Sequence, residues 1–398
     1  MKNVIGSGIS RFFRAALGFA AACLVAAQPA QAQTYTVLHD FTGGLDGGFP
    51  HQVIQDSAGN LYGTSTQGGA NYGGNIFKLD TFGTLTVLYS FKGGVNGALP
   101  QGPLFRDPEG NLYGTAREGG DPDCRCGIFF KLDTNNVLTI LHTFTGGPNG
   151  SFPFNNLVSV KGELYGATEG GGTGWGVIYK ITKTGQYTVL HNLDKEGEGS
   201  QGDLTRDSAG NIYSETYFGG SGGTIFELDT AGKFSVLYNF GDGRTDGSGP
   251  VGRLLRDAAG TITGAASFSA GNGRCGEVFR LATDGTVTAL HHFFGGRGGC
   301  NPETGLVDLN GTLYGTTYQG GNASCFFSGC GLIYRISSKG VYSVIHRFAG
   351  PEGAGPLDEM TKGSDGSIYG ITRYGGTGTL CINNGRIPGC GVIFKYTP

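Results

Sequence analysis

Residues whose types and spacing could do chemistry are few in this 398-residue chain. Histidine comes first, because imidazole titrates near neutrality and ligates metals. Five of the seven histidines, His39, His142, His191, His291 and His346, occupy one position of a recurring apolar segment, where two other copies carry Tyr89 and Tyr238. A position shared with tyrosine is a structural slot, and copies spread over separate repeats do not converge on one metal or substrate. Asp56, Asp107, Asp207, Asp257 and Asp365 also recur, each before a glycine in a turn that an Asp side chain closes. Four carboxylates outside any fixed slot, Asp203, Glu303, Asp358 and Glu359, are the candidates for an acid and base. Glycoside hydrolysis needs such a pair ~5–9.5 Å apart. No nucleophile motif, phosphate loop or metal-ligand spacing accompanies them.

The cysteines support a different chemistry. Cys23 lies in an apolar N-terminal stretch, and the other eight of the nine are an even set. Nearness in sequence predicts disulfides Cys325 to Cys330, Cys381 to Cys390, Cys275 to Cys300 and, as a very tight ring, Cys124 to Cys126. Spread over four repeats, these thiols do not form one tetrahedral zinc site. No metal or cofactor is expected.

The elements that position these residues are repeats. An apolar segment ending in Phe or Leu recurs seven times, from Val37-Leu38-His39-Asp40-Phe41 to Val344-Ile345-His346-Arg347-Phe348. A second landmark centres on Tyr62, Tyr113, Tyr165, Tyr213, Thr263, Tyr314 and Tyr369. A third is an apolar-aromatic pair such as Ile76-Phe77 or Phe129-Phe130. The spacing is about 52 residues per unit. Each unit reads as four short strands between Gly, Asp, Asn and Pro turns. In the second unit these are Pro103 to Arg106, Asn111 to Ala116, Gly127 to Leu132 and Val137 to Phe144.

Four strands in a repeat of this size predict an all-β, seven-bladed β-propeller. The chain starts its repeats with a lone outer strand, Thr34 to Phe41, and ends just after a third strand, Gly391 to Tyr396. The N-terminal strand is therefore expected to complete the last blade and close the ring. Residues 33–398 are read as this one propeller, preceded by a signal peptide over residues 1–32. Lys2, Arg11 and Arg14 lead an apolar stretch from Ala15 to Ala27, and Ala30-Gln31-Ala32 supplies the cleavage pattern, with cleavage after Ala32. The stretch is shorter than the ~20 residues of a membrane span, and no later segment approaches that length. A secreted or periplasmic monomer is expected.

Composition agrees with such a fold. Glycine supplies 78 residues, with no three-residue period, while 38% hydrophobic content provides a core. Net charge is −3 and no basic run follows a phosphate backbone, so nucleic acid is not an expected partner.

The ordered pattern Gly-Asn-Leu-Tyr-Gly-Thr, Gly-Gly, Gly-x-Ile-Phe-Lys-Leu-Asp and Val-Leu-x-x-Phe resembles the bacterial extracellular GloVer, or Gloeo-Verruco, repeats across nearly the whole mature chain. Members of that family typically join their repeats to a surface anchor. None is visible up to Pro398, which favours a released or periplasmic protein. The resemblance implies no catalytic residues.

One propeller face is expected to carry short uniform turns and the other long, unequal, glycine-rich loops with the eight cysteines. Variable loops on a rigid frame are where binding resides. Two sets of residues should lie there. The first begins the inner strands, mostly just after a proline, and varies between repeats: His51, Gln52, Gln101, Asn155, Asn156, Gln201, Asp203, Arg253, Glu303, Asp358 and Glu359. The second lies in or beside the long loops: Tyr72, Arg117, Trp175, Tyr217, Phe218, Tyr318, Phe326, Arg373 and Tyr374. Rings beside amides and carboxylates suit a sugar, with its C–H faces and hydroxyl edges. The expected function is non-enzymatic binding of a polysaccharide or cell-surface polymer. The alternatives are a glycoside hydrolase or lyase using the four carboxylates, and a protein-interaction scaffold.

Overall fold

The computed structural model describes residues 33–153, 156–194, 202–241, 246–268, 273–322, 325, 328–381 and 388–398. The predicted leader and the candidates Asn155, Gln201 and Phe326 lie outside these residues.

Seven antiparallel sheets, each of four or five strands, succeed one another along the chain as the blades of a β-propeller. In blade 2 the strands are Phe105–Arg106, Leu112–Ala116, Ile128–Leu132 and Leu138–Thr143. The last three match the sequence reading to within a residue or two at each end. The inner strand is shorter than the predicted Pro103 to Arg106. Closure is as expected: Thr34–Asp40 pairs antiparallel with Val392–Thr397, from Thr34 opposite Thr397 to Asp40 opposite Val392. Among the described residues no helix is long and apolar enough to cross a membrane.

The repeat tyrosines and aspartates build one recurrent corner. Asp107 accepts hydrogen bonds from the Asn111 backbone N–H (2.7 Å), the Asn111 side chain (3.0 Å) and the Tyr113 hydroxyl (3.3 Å). Asp56 with Tyr62 (3.2 Å) and Asp207 with Tyr213 (3.1 Å) repeat it. In blade 5 Thr263 replaces the tyrosine, and Asp257 bonds only backbone N–H groups, those of Ala259 and Thr261. These aspartates are occupied as turn closures.

The core lies in the seams between blades. The residue ending each outer-strand segment, Phe41, Phe91, Phe144, Leu193, Phe240, Phe293 or Phe348, is fully buried. Each phenylalanine meets the third-strand aromatic of the next blade. Phe91 lies 5.4 Å from Phe130, Phe240 5.1 Å from Phe279, and Phe348 5.6 Å from Phe394. Phe41 closes the circle 5.3 Å from Phe77. The glycine after the repeat tyrosine makes room for that ring: a Cβ on Gly114 would sit 2.7 Å from Phe130, its partner across the strand pair.

The histidine slot serves the same seams. His142 stacks on Tyr187 of the next blade (3.9 Å, 9°), His191 on Phe234 (4.1 Å, 2°) and His291 on Tyr342 (3.7 Å, 1°). His346 stacks on Tyr35 at 3.8 Å, and the Tyr35 hydroxyl donates to the Glu352 carbonyl at 2.7 Å. The four predicted cysteine pairs, 124 with 126, 275 with 300, 325 with 330 and 381 with 390, are disulfides.

Phe41→Ala should destabilise the protein by about 3–5 kcal/mol in urea denaturation, the usual range for a buried phenylalanine. A loss below about 1 kcal/mol would show that the closing seam does not hold the ring. Burial also lowers the His142 pKa from 6.5 to about 4. The unfolded imidazole protonates near 6.5 while the folded one resists, so this group's contribution is lost as pH falls from 6.5 towards 4. His142→Phe keeps the ring and removes the proton site. Its melting-temperature advantage over wild type should grow between pH 7 and pH 4, and a pH-independent difference would contradict a buried, stacked imidazole.

Candidate binding site at the channel mouth

Two rings of non-repeating residues meet where the inner strands begin. One is the set just after the prolines. The other lies three residues beyond the second-strand glycine, or beyond Ser214 in blade 4, and reads Thr66, Arg117, Glu169, Tyr217, Ser267, Tyr318 and Arg373 around the blades. Strand pairing fixes both rings, so the side chain at an equivalent place varies around the blades.

Together they wall a cavity of about 390 Å³. Of the sequence candidates, His51, Gln52, Gln101, Asp203, Glu303, Asp358 and Glu359 line it from the first ring, and Tyr217 and Arg373 from the second. Glu169 and Ser267 line it too and were not singled out, although alignment of the repeats by that glycine finds both.

Other candidates are placed elsewhere. Asn156 is buried and its amide is consumed between blades, accepting from the Leu204 N–H at 2.7 Å and donating to the Leu204 carbonyl at 3.1 Å. Tyr374 is buried against Phe49 at 5.4 Å, and a Cβ on Gly355 would touch both Tyr374 and Tyr318. Those two tyrosines pack the frame. Trp175 is 40% exposed but does not line the cavity, and Tyr72 is 83% exposed. Arg117 pairs with Glu169 at 2.6 Å and lies over the Phe152 ring.

The cavity is rich in carboxyls, most of which have partners. Glu359 accepts from the Arg253 backbone N–H and faces its Nε at 3.4 Å. Asp203 accepts from the Asn156 N–H at 2.9 Å and also feels the Arg253 charge. Asp358 meets His51 Nδ1 at 3.1 Å. Beneath them lies Glu215, fully buried, with neither carboxylate oxygen hydrogen-bonded. It stands where the other blades carry Thr, Ala or Ile, a departure from the repeat that sequence alignment alone exposes.

Burial dominates the electrostatics. It raises Glu359 to about 8 against the pull of Arg253, and it raises Asp203 in the same direction. Glu215 is pushed well above the carboxylate range by burial and then by Asp203 and Glu359. Burial alone brings Glu303 to about 7. Asp203 and Arg253 still meet water in the lumen, Arg253 with a side chain 40% exposed, yet protein surrounds them at short range. They are channel-wall groups rather than surface charges.

Aromatic rings flank this wall at Tyr217, which lies 4.5 Å from Phe218 and 5.8 Å from Phe268, both edge-on. Phe218 and Phe268 are 59% and 44% exposed, so the rim presents apolar ring surface. Among the described residues no group of three His, Cys, Asp or Glu side chains could hold a metal ion.

With this geometry in hand, the comparisons are informative about fold and family. The sequence signature of the Gloeobacter/Verrucomicrobia repeat matches residues 22–174 and 167–382, and the chain belongs to that family. No curated protein matches it in sequence. Among solved structures it is similar to virginiamycin B lyase from Staphylococcus aureus, at 15% identity and a TM-score of 0.57, over 92% of this chain and 99% of that one. It is also similar to the extracellular domain of a protein named as a hybrid two-component system from B. thetaiotaomicron. There the identity is 12% and the TM-score 0.58, over 86% of this chain and 39% of that one. At such identities the likeness shows the propeller fold alone.

Arg253→Met removes the charge shared by Glu359 and Asp203. Breaking a fully buried pair costs ~3–5 kcal/mol. Lumen water reduces this to about 1–3 kcal/mol at pH 8. A carboxyl with a raised pKa ionises in the unfolded chain first, so the deficit should shrink on acidification to pH 5, where Glu359 is protonated in the folded state. Chemical denaturation at both pH values checks this, and an equal loss at each would refute the assignment.

Proposed function

We propose that this member of the repeat family is a secreted, non-enzymatic binding module for a polysaccharide or cell-surface polymer, which it engages at the channel mouth. The observation that carries the reading is the cavity wall itself. On a frame of repeated seams, the side chains around the mouth vary between blades and combine amides, carboxyls and an aromatic rim. Aromatic rings accept the C–H faces of a sugar, and the amides of Gln52 and Gln101 suit its hydroxyls.

The same wall speaks against the hydrolase or lyase alternative. Asp203 and Glu359 share Arg253, Asp358 is held by His51 and Glu169 by Arg117, which leaves Glu303 without a matching free carboxylate among the described residues that line the cavity. Four disulfides and membership of an extracellular repeat family support export.

The test is incubation of the purified mature chain with a panel of polysaccharides, scoring retention on the polymer and release of new chain ends in the same samples. Retention without release is expected, with Tyr217→Ala weakening it about tenfold or more. Release of chain ends would establish the enzyme instead. Neither result across a broad panel would leave a protein partner as the remaining reading.

A further inference from the structure

The charged groups of the channel mouth close into sets, with two left over. Arg253 serves Glu359 and Asp203, His51 serves Asp358, and Arg117 serves Glu169. Glu303 and Arg373 line the same cavity, and among the described residues neither side chain makes an ion pair or a hydrogen bond to protein. Arg373 Nε is buried without an acceptor.

Both residues are held in place. The backbone on either side of Glu303 is pinned by the Ser267 hydroxyl donating to the Pro302 carbonyl at 3.0 Å, and by the Thr304 and Thr316 hydroxyls 2.9 Å apart. Arg373 donates its backbone N–H to the Gly355 carbonyl at 3.1 Å and lays its guanidinium over the Phe49 ring at 5.8 Å. Phe49 itself holds φ +53° immediately before Pro50, a conformation maintained only by its surroundings. A backbone fixed in advance lowers the ordering cost of binding.

A charge left uncompensated in a protein wall is costly, and a ligand of opposite sign relieves that cost. Here one wall carries both signs, Glu303 at the start of the blade 6 inner strand and Arg373 after the blade 7 strand Ile368–Thr372. Tyr217 flanks the Glu303 side closely enough for that carboxylate to raise its phenol, after burial. An aromatic ring beside a carboxylate suits an ammonium group, while a guanidinium fork suits a carboxylate. The cavity has small-molecule dimensions, within the usual ~300–1,000 Å³.

We propose that the channel mouth takes a saccharide unit bearing both an amino group and a carboxylate, with the amine at Glu303 beside Tyr217 and the carboxylate at Arg373. This rests on the polymer-binding reading above and names the class of unit that the site selects.

Isothermal titration of the mature chain with four soluble probes tests it: N-acetylglucosamine, glucosamine, glucuronate and muramic acid, which carry neither charge, the amine, the carboxylate and both. Muramic acid should bind at least tenfold more tightly than any other. Glu303→Gln should weaken muramic acid and glucosamine about tenfold and leave glucuronate unchanged, whereas Arg373→Met should weaken muramic acid and glucuronate and leave glucosamine unchanged. Melting curves matching wild type establish that both variants fold. If N-acetylglucosamine binds as well as muramic acid, or neither variant changes any affinity, while polysaccharide is still retained, the charge assignment falls and the polymer reading stands. If no sugar and no polymer binds, both fall. Preferential binding of a free dipeptide would overturn the saccharide assignment by giving the two charges to a peptide.

Discussion

The insertion of one buried Phe or Leu side chain into each seam between blades is the interaction on which the rest of the structure depends. A four-stranded blade has two apolar faces and cannot bury them alone, so every blade is stable only against its neighbours. The outer-strand Phe or Leu crosses to the next blade, and a glycine on the second strand leaves room for the aromatic it meets. Seven such contacts must close on themselves. That is why the N-terminal strand completes the last blade, and why Tyr35, so far in sequence from its partners Phe394 and His346, sits among the seam residues.

Most of the chemically suggestive residues are absorbed by this requirement. Four of the five slot histidines, His142, His191, His291 and His346, are flat rings stacked on the next blade, and burial lowers their pKa values. The turn aspartates are spent on their own corners, where hydrogen bonds overcome burial and hold Asp56, Asp107 and Asp207 below the usual carboxylate range. A rigid, self-satisfied frame leaves few side chains for function, and those few collect at one end of the channel.

There the electrostatics differ from those of the frame. Carboxyls outnumber cations, and the pKa values rise because burial is not fully offset. The seams therefore favour a mildly acidic-to-neutral optimum from one side and the channel from the other. Buried imidazoles lose stability as pH falls from 6.5, and buried carboxyls lose it as pH rises from their ordinary 4.5 through about 7 to 8.

The sequence by itself determined the repeat count, the strand order within a blade, the closing strand, the disulfide pairs and the structural role of the histidines. The disulfide pairs follow from nearness in sequence, and each of the others from local periodicity or from a recurrent position in the repeat. It also brought out the ring after the prolines, because those residues vary where the frame does not. What only the tertiary structure decided is which of them share a cavity and which are consumed. Asn156 is spent on Leu204, Tyr374 is buried against Phe49, Asp203 and Glu359 converge on Arg253 from different blades, and Glu303 and Arg373 remain unpaired. Those partnerships join residues separated by tens to hundreds of positions. The physical reason is that a repeat fixes direction within a blade, while charge pairing across the channel depends on how all seven blades are set around a common axis.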